Sequence, residues 1–486
     1  MSISNALSNA LSGLTVTSRA ADVVASNVAN AMTDGYGVRE VDIASRVIGA
    51  EGGGARVTGI TRHEDAAVTG ARRHADADVA NHGIKAGFRT NLETLIGTPD
   101  QPGSLTARAA ALEASLTSAA SNPQSQAHLT GVVDAAVALA GQVNAISDGI
   151  QAERLRADTG IARAVAHVNG ALLDLDALNS RIRQEKGGAR DISSLLDAQS
   201  VLVDQIAPYI PLETRRDSVG ALQVYSSDGQ VLLDRRASEL SFSPVSVMTA
   251  DLSVDTGGLG ELSLNGRPVI MGGVQPSLTG GTLSALFDLR DTGGPAAQAQ
   301  IDAVALDLTS RFDAVGLDPT LAPGAPGLFT DAGSAASALD EVGLAGRLRV
   351  NSAVLPSEGG AVWRIRDGLG AAVEGPVGNG AFLTAQIDAL ATRQPTASGG
   401  FSATDRSFAG LVSDHLSLAG FARQSAEADQ GRAAALQTSL LQQELSRGVD
   451  TDAEMRKILL IEQAYAANAR VVNAVEDMLD DLLRIA

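Results

Sequence analysis

The sequence predicts a mainly α-helical protein with a β insert (α+β), in which terminal helices pair as a coiled-coil stalk around a discontinuous helical bundle and a small outer β domain. Three observations predict this. At both ends apolar residues recur at spacings of three and four: Ile3, Leu7, Ala10, Leu14, Ala21, Val24 and Val28 near the start, and Met455, Ile458, Tyr465, Ala469, Val472, Leu479 and Leu483 near the finish. Each end therefore reads as a helix with one narrow apolar seam. Such a seam needs a facing helix to receive its side chains, and the other terminus is the obvious partner. Second, residues 65–206 carry long helical periods. Third, short alternating runs after Pro208 and Pro211, cut by Asp228-Gly229 and Asn265-Gly266, are hairpin signals.

Element by element, residues 1–35 are expected as the N-terminal half of the stalk, stopped by the turn at Asp34-Gly35-Tyr36-Gly37. Residues 36–210 form the first part of the helical bundle. They open with an irregular stretch to about residue 65, with β-like runs at 41–47 and 55–60. Helical patterns then pass through Val79, Ile84, Phe88, Leu92 and Leu95, through Leu105, Leu112 and Leu116, and from Leu129 through Val143 and Ile150 to Ile182. Residues 211–278 are the outer β domain, and 279–315 a helix returning to the bundle. Residues 316–380 are a Pro/Gly-rich connector and a mixed, β-containing segment. Residues 381–449 are the last part of the bundle, and 450–486 the C-terminal half of the stalk. At 486 residues the chain has room for about three domains. Nesting of this kind places the terminal segments innermost and the inserts outward.

Composition excludes several functions. A net charge of -19 opposes non-specific binding to nucleic acid or an anionic membrane, because phosphate contacts need clustered Lys and Arg. Cysteine is absent, so no disulfide, thiolate nucleophile or cysteine metal site is available. No run of about 18 to 20 apolar residues marks a membrane span, and the start of the chain lacks the basic and apolar regions of a cleaved secretory signal. Aromatic residues make up 3% of the chain, with Trp363 the sole tryptophan, so the cores must be built from small and medium aliphatics.

A search for catalytic chemistry assigns no catalytic, cofactor-binding or metal residue. His74, Asp76, Asp78 and His82 offer two ligands on one helix face and lack a third, and they read as a solvated face. The glycine runs Gly52-Gly53-Gly54, Gly280-Gly281 and Gly293-Gly294 are not followed by Gly-Lys-Ser/Thr. Neither a Gly-x-Ser-x-Gly elbow nor His-Glu-x-x-His occurs. Asp174/Asp176 and Asp477/Asp480/Asp481 read as outer helix faces, and Trp363 as a core anchor. The expectation is a protein that is not an enzyme and uses no cofactor.

Leu11-Ser12-Gly13-Leu14, Ala25-Ser26-Asn27-Val28-Ala29-Asn30 and Thr33-x-Gly35-Tyr36 resemble the N-terminal signature of the bacterial flagellar axial proteins. Gln463-Ala464-Tyr465-x-Ala467-Asn468-Ala469-x-Val471 is similar to the C-terminal partner of that signature. Three internal blocks resemble the hook-associated members. They are Ser194-Leu195-Leu196-Asp197 with Leu202-Val203-Asp204-Gln205-Ile206, Gly280-Gly281-Thr282-Leu283-x-Ala285-Leu286-x-Asp288-Leu289-Arg290-Asp291, and Gly448-Val449-Asp450-x-Asp452-x-Glu454-Met455. Gly37 is one residue more than the family pattern of Gly-Tyr, one residue, then Arg.

The resemblance implies a structural protein of the external flagellum, at the junction of hook and filament, exported unfolded through the flagellar type III apparatus after a cytoplasmic stage. Its implied partners are the hook protein, other hook-associated proteins, further copies of itself in a ring, the export apparatus and a cytosolic export chaperone, with no nucleic acid and no membrane insertion. The alternatives are another axial protein (hook, rod or hook-associated protein 3) or an unrelated coiled-coil scaffold or adhesin. The expected assembly surface is Ile3, Leu7, Leu14, Val24, Val28, Asn27, Asn30, Gln463, Tyr465, Asn468, Val472, Leu479 and Leu483. Asn27, Asn30, Gln463 and Asn468 read either as helix surface and caps or as register-setting hydrogen bonds between subunits.

Overall fold

The structure is a computed structural model that describes residues 3–48, 51–187, 191–272, 276–396 and 398–485; three residues of the expected 211–278 segment, 273–275, lie outside it. The chain is mainly helical with small antiparallel sheets. Helix α1 (Ile3–Ala29) is followed by a hairpin of β1 (Val38–Ile48) and β2 (Glu51–His63), then α2 (Ala66–Ile96), α3 (Leu105–Ser121), α4 (Gln126–Gly187) and α5 (Ser193–Ile206). Short strands follow: β3 (Leu212–Arg216), β4 (Leu222–Ser226), β5 (Val231–Leu233), β6 (Leu240–Ser241), β7 (Ser263–Leu264) and β8 (Arg267–Pro268). Then come α6 (Gly281–Asp288), a π-helical turn (Leu289–Gly293), α7 (Gly294–Phe312), β9 (Phe329–Asp331), α8 (Leu344–Arg347), β10 (Leu348–Val350), α9 (Arg364–Asp367) and α10 (Ala381–Ala391). The long helices α11 (Phe408–Ser446) and α12 (Thr451–Ile485) complete the chain.

Local chemistry sets several boundaries. The Asp65 carboxylate accepts the Ala67 and Val68 amides at the start of α2, Ser104 caps α3 and Ser407 caps α11. The hairpin contains the expected β-like runs at 41–47 and 55–60, lengthened and paired, and corrects only the expectation that residues 36–65 open the helical bundle. Val38 pairs with His63 and the ladder continues to Ile48 and Glu51, with bulges after Asp42 and Ser45. The hairpin lies along α1, where the Ala55 amide donates to Ser12 Oγ at 3.1 Å. Residues 36–65 thus belong to the terminal layer.

Two cores follow, both threaded by α4. The first gathers Phe88, Leu92 and Ile96 of α2, Leu105, Leu112 and Leu116 of α3, Leu139, Val143, Ile146 and Ile150 of α4, Ile301, Val304 and Leu308 of α7, and Phe408, Leu411 and Val412 of α11. Phe329, Leu344, Leu348, Val354, Val362 and Ile365 from the connector segment join it. The second packs Ile161, Val168, Leu172 and Leu175 of α4 against Val203 and Ile206 of α5, Leu222, Val224, Leu233, Leu240 and Leu264 of the strands, and Leu283 and Phe287 of α6. The strands, in sheets ordered β3-β4-β5 and β6-β7-β8, therefore share their core with helices. α4 contains an 18-residue window of mean hydropathy 1.4, enough by length and composition to cross a membrane. Its buried leucines, valines and isoleucines line the two cores, so that apolarity goes into the protein interior.

Charged residues fasten the strand segment to α4. Arg154 donates from Nε to the Arg290 carbonyl at 2.9 Å and from its terminal nitrogens to the carbonyls of Thr249 and Leu252 at 3.0 and 2.7 Å. Arg290, fully buried in the π turn, pairs with Asp158 at 2.8 Å and with Asp291 at 2.6 Å. The other oxygen of Asp158 accepts the Val245 amide. Buried charges persist only when paired and hydrogen-bonded, which accounts for the Arg290-Asp291 block of the sequence.

Candidate functional site

The two termini lie side by side. Asn27 of α1 meets Glu454 of α12, and Gly13 meets Asn468, so the helices run antiparallel. A Cβ at Gly13 would fall 2.7 Å from the side-chain amide of Asn468, so glycine makes room for that side chain against α1. Toward this contact and the hairpin, α1 buries Ala10, Val16, Val23, Val24 and Asn27, while Ile3, Leu7, Leu14 and Val28 are half-buried.

Asn27 is completely buried and uses its whole hydrogen-bonding capacity. Its Nδ2 donates to the Arg39 carbonyl at 2.9 Å and to Glu454 Oε2 at 3.0 Å. Its Oδ1 accepts the Tyr36 hydroxyl at 2.8 Å and the Arg39 amide at 3.0 Å. One side chain thereby ties α1 to the turn, to β1 and to α12, all within one chain. Asn30 serves the helix end, donating to the Ser26 carbonyl and accepting from Thr33. Asn468 donates to the Ala464 carbonyl of its own helix. Gln463 is exposed.

The turn after α1 is locked to α5. Asp197 accepts the Gly37 amide at 3.0 Å, Arg39 at 2.6 Å and Arg62 at 2.8 Å. Arg62 in turn donates to the Gly35 carbonyl, and Gly35 adopts φ +74°, where glycine carries no steric cost. A Cβ on Gly37 would meet the Arg62 side chain at 2.5 Å, so the extra glycine makes room for that guanidinium. Two sequence blocks that resemble different stretches of the axial proteins, the Gly-Tyr turn and Ser194-Leu195-Leu196-Asp197, are therefore two halves of one joint.

A second joint binds α2, α5 and α11. Arg72 pairs with Glu444, Asp76 and Asp204, each at 2.5 Å, and Arg73 reaches Asp204 at 2.7 Å. Burial pulls the Arg72 guanidinium down, but the carboxylates of Asp204, Glu444 and Asp76 outweigh it and raise it above its ordinary value. Asp76 also accepts from Gln437 at 2.8 Å. This corrects the reading of Asp76 as part of a solvated face: it sits between two helices because α11 covers that side of α2.

On α12 the inward residues are Glu454 and Val475, both buried, with Ile458, Ile461, Asn468, Ala469 and Val472 half-buried. The Glu454 carboxylate is satisfied by Asn27 and by Lys457 at 2.7 Å. Met455, an expected seam residue, is instead exposed, as are Tyr465, Leu479 and Leu483. Sequence reasoning missed a further feature. Leu460, Val471, Met478 and Leu482 are 66%, 43%, 47% and 53% exposed, yet they fall within about 40° of one another on a helix of 3.6 residues per turn. Ala464, Ala467 and Ala474 fill the gaps between them. This second stripe lies roughly a quarter-turn from the face against α1. Its spacing of four, three, four, three, four, four was legible in the sequence, hidden by the alanines. The matching outer face of α1 is mostly polar, carrying Ser8, Thr15, Ser18 and Asp22 around the exposed Leu11.

Comparison with known proteins bears on these features. The family profile described as "Flagellar hook-associated protein FlgK helical domain" matches residues 90–327. "Flagella basal body rod protein" matches residues 7–36, and "Flagellar basal body rod FlgEFG protein C-terminal" matches residues 446–485. Flagellar hook-associated protein 1 of Bacillus subtilis (strain 168) is 23% identical over 512 aligned positions, spanning 98% of this chain and 97% of that protein. The chain is thus similar, along nearly its whole length, to a flagellar hook-associated protein 1. Among solved structures, the flagellar hook junction protein FlgK from Burkholderia pseudomallei is similar at 20% identity with a TM-score of 0.43, over 55% of this chain and 46% of that one. The two rod-type matches fall on α1 with its turn and on α12, the helices that Asn27 and Glu454 join.

Proposed function

We propose that this protein is a structural component of the bacterial flagellum that forms the junction between hook and filament. α1 and α12 act as a paired stalk, the helices α2, α3, α4, α7, α10 and α11 as a discontinuous bundle, and residues 211–278 as an outer β domain. The observation that carries the reading is the second stripe of α12. A helix already packed on α1 keeps Leu460, Val471, Met478 and Leu482 in solvent, an arrangement that favours contact with neighbouring subunits. The partners are further copies in a ring, the hook protein and other hook-associated proteins. Export passes through the flagellar type III apparatus with a cytosolic chaperone, and the mature protein resides outside the cell on the flagellum. It is not an enzyme; the relatives it matches carry the names of flagellar parts.

A deletion strain tests this. It is expected to build hooks and to shed filament subunits into the medium, with the protein itself found at the hook end of isolated wild-type filaments. Attached, full-length filaments in the deletion strain would overturn the junction reading.

A further inference from the structure

His415 lies on α11 with no exposed surface, and neither ring nitrogen has a hydrogen-bond partner. A neutral imidazole carries one donor and one acceptor, so the fold leaves both unsatisfied, a rare arrangement for buried polar atoms. Its surroundings are apolar. Phe401 stands edge-on at 6.2 Å between ring centres, and Phe408, Leu411, Val412 and Ala419 belong to the same core.

Charged groups on the elements around it are engaged elsewhere or exposed. Asp414 pairs with Arg406, Glu93 of α2 with Arg423, and Asp307 of α7 with Arg311, whose other donors go to the carbonyls of Ala389 and Thr392 at the end of α10. Glu113 of α3 and Asp388 of α10 are exposed, and Arg108 of α3 is a cation that would not favour a second one nearby. Burial alone pushes the His415 imidazole down to about 4.

Its place on the helix matters as much as its burial. The residues that α11 buries are Phe408, Leu411, Val412, His415 and Ala419, all in its first third. From there on the helix is held by ion pairs and polar contacts, Arg423 with Glu93, Gln437 with Asp76 and Glu444 with Arg72. His415 thus stands among the apolar residues that anchor the helix leading into α12.

We propose that His415 is an acid-sensitive pin: a protonated imidazole there has two N–H donors and a charge with nothing to receive them, so acidification frees α11 before the body around α4 unfolds. The unfolded chain takes up this proton near pH 6.5 and the folded one only near 4. Anchoring is therefore full above about pH 6.5, falls as the pH drops below it, and stops falling below about pH 4. The limit is roughly 300-fold in the opening equilibrium.

Hydrogen exchange of the full chain at pH 7.5 and 4.5, with labelling times scaled for the intrinsic rate, tests this in the wild type, His415→Leu and His415→Met. At pH 4.5 wild-type peptides from residues 408–419 should open somewhat less than a hundredfold more than at pH 7.5. Peptides from α4 should hold, and both variants should lose most of the α11 response. An equal response in wild type and variants, or none in the wild type, would overturn the proposal. Should neither variant fold at pH 7.5, the wild-type contrast between α11 and α4 decides: opening of both together refutes it.

Discussion

Asn27 shows how much structure one side chain can specify. In sequence it is a polar residue beside a seam, which reads equally as helix surface, cap or intersubunit contact, because one-dimensional spacing cannot reveal what stands 427 residues away. The structure shows its donors and acceptors all taken within the chain. Asn27→Ala leaves the Arg39 amide and the Glu454 carboxylate short of partners, and is expected to destabilise the terminal layer by about 2–4 kcal/mol. Asn27→Asp should cost more, since it removes both donors and sets a second carboxylate against Glu454. Amide exchange in residues 3–29 measures both, and an aspartate variant as protected as wild type would show that these hydrogen bonds do not hold the layer. Glu454 was illegible for a related reason: a charge at a seam position argues against burial until its partner is known.

Among elements, the terminal helices were the most legible, since seams of three-four period appear directly in the order of residues. Their pairing is held by few buried side chains, and short amphipathic helices are marginal without such support. Limited proteolysis of the monomer is accordingly expected to cut within residues 1–35 and 450–486 before the body. Leu14→Asp, placing a carboxylate on the half-buried face of α1, should loosen this layer by about 1–3 kcal/mol. It should block incorporation into flagella while leaving the thermal unfolding of the body unchanged. A motile Leu14→Asp strain would count against the stalk. The hairpin was harder to read because Gly52-Gly53-Gly54 and two bulges interrupt its alternation, and a ladder is recognised by pairing, which a single strand's pattern does not contain.

For the whole molecule, the helical and strand-rich regions were foreseen from periodicity, whereas the sharing of one core by strands and helices was not, because hydrophobic pattern says that a face is buried but not against what. The second stripe of α12 gives the assembly-level prediction. Val471→Asp and Leu482→Asp should leave the monomer's circular dichroism and stability unchanged within about 0.5 kcal/mol, as exposed sites do, yet prevent recovery of the protein with isolated flagella. Normal recovery of both variants would remove that face from the assembly. α4 adds a mechanical consequence. Its 62 residues extend roughly 93 Å at 1.5 Å each, without a break between one core and the other. A turning moment applied at one end meets a continuous hydrogen-bonded rod gripped along its length, with no linker in which to dissipate. A subunit seated between a rotating drive and a long load would pass on torsion through this strut as a rigid coupling, with little lag between its two ends.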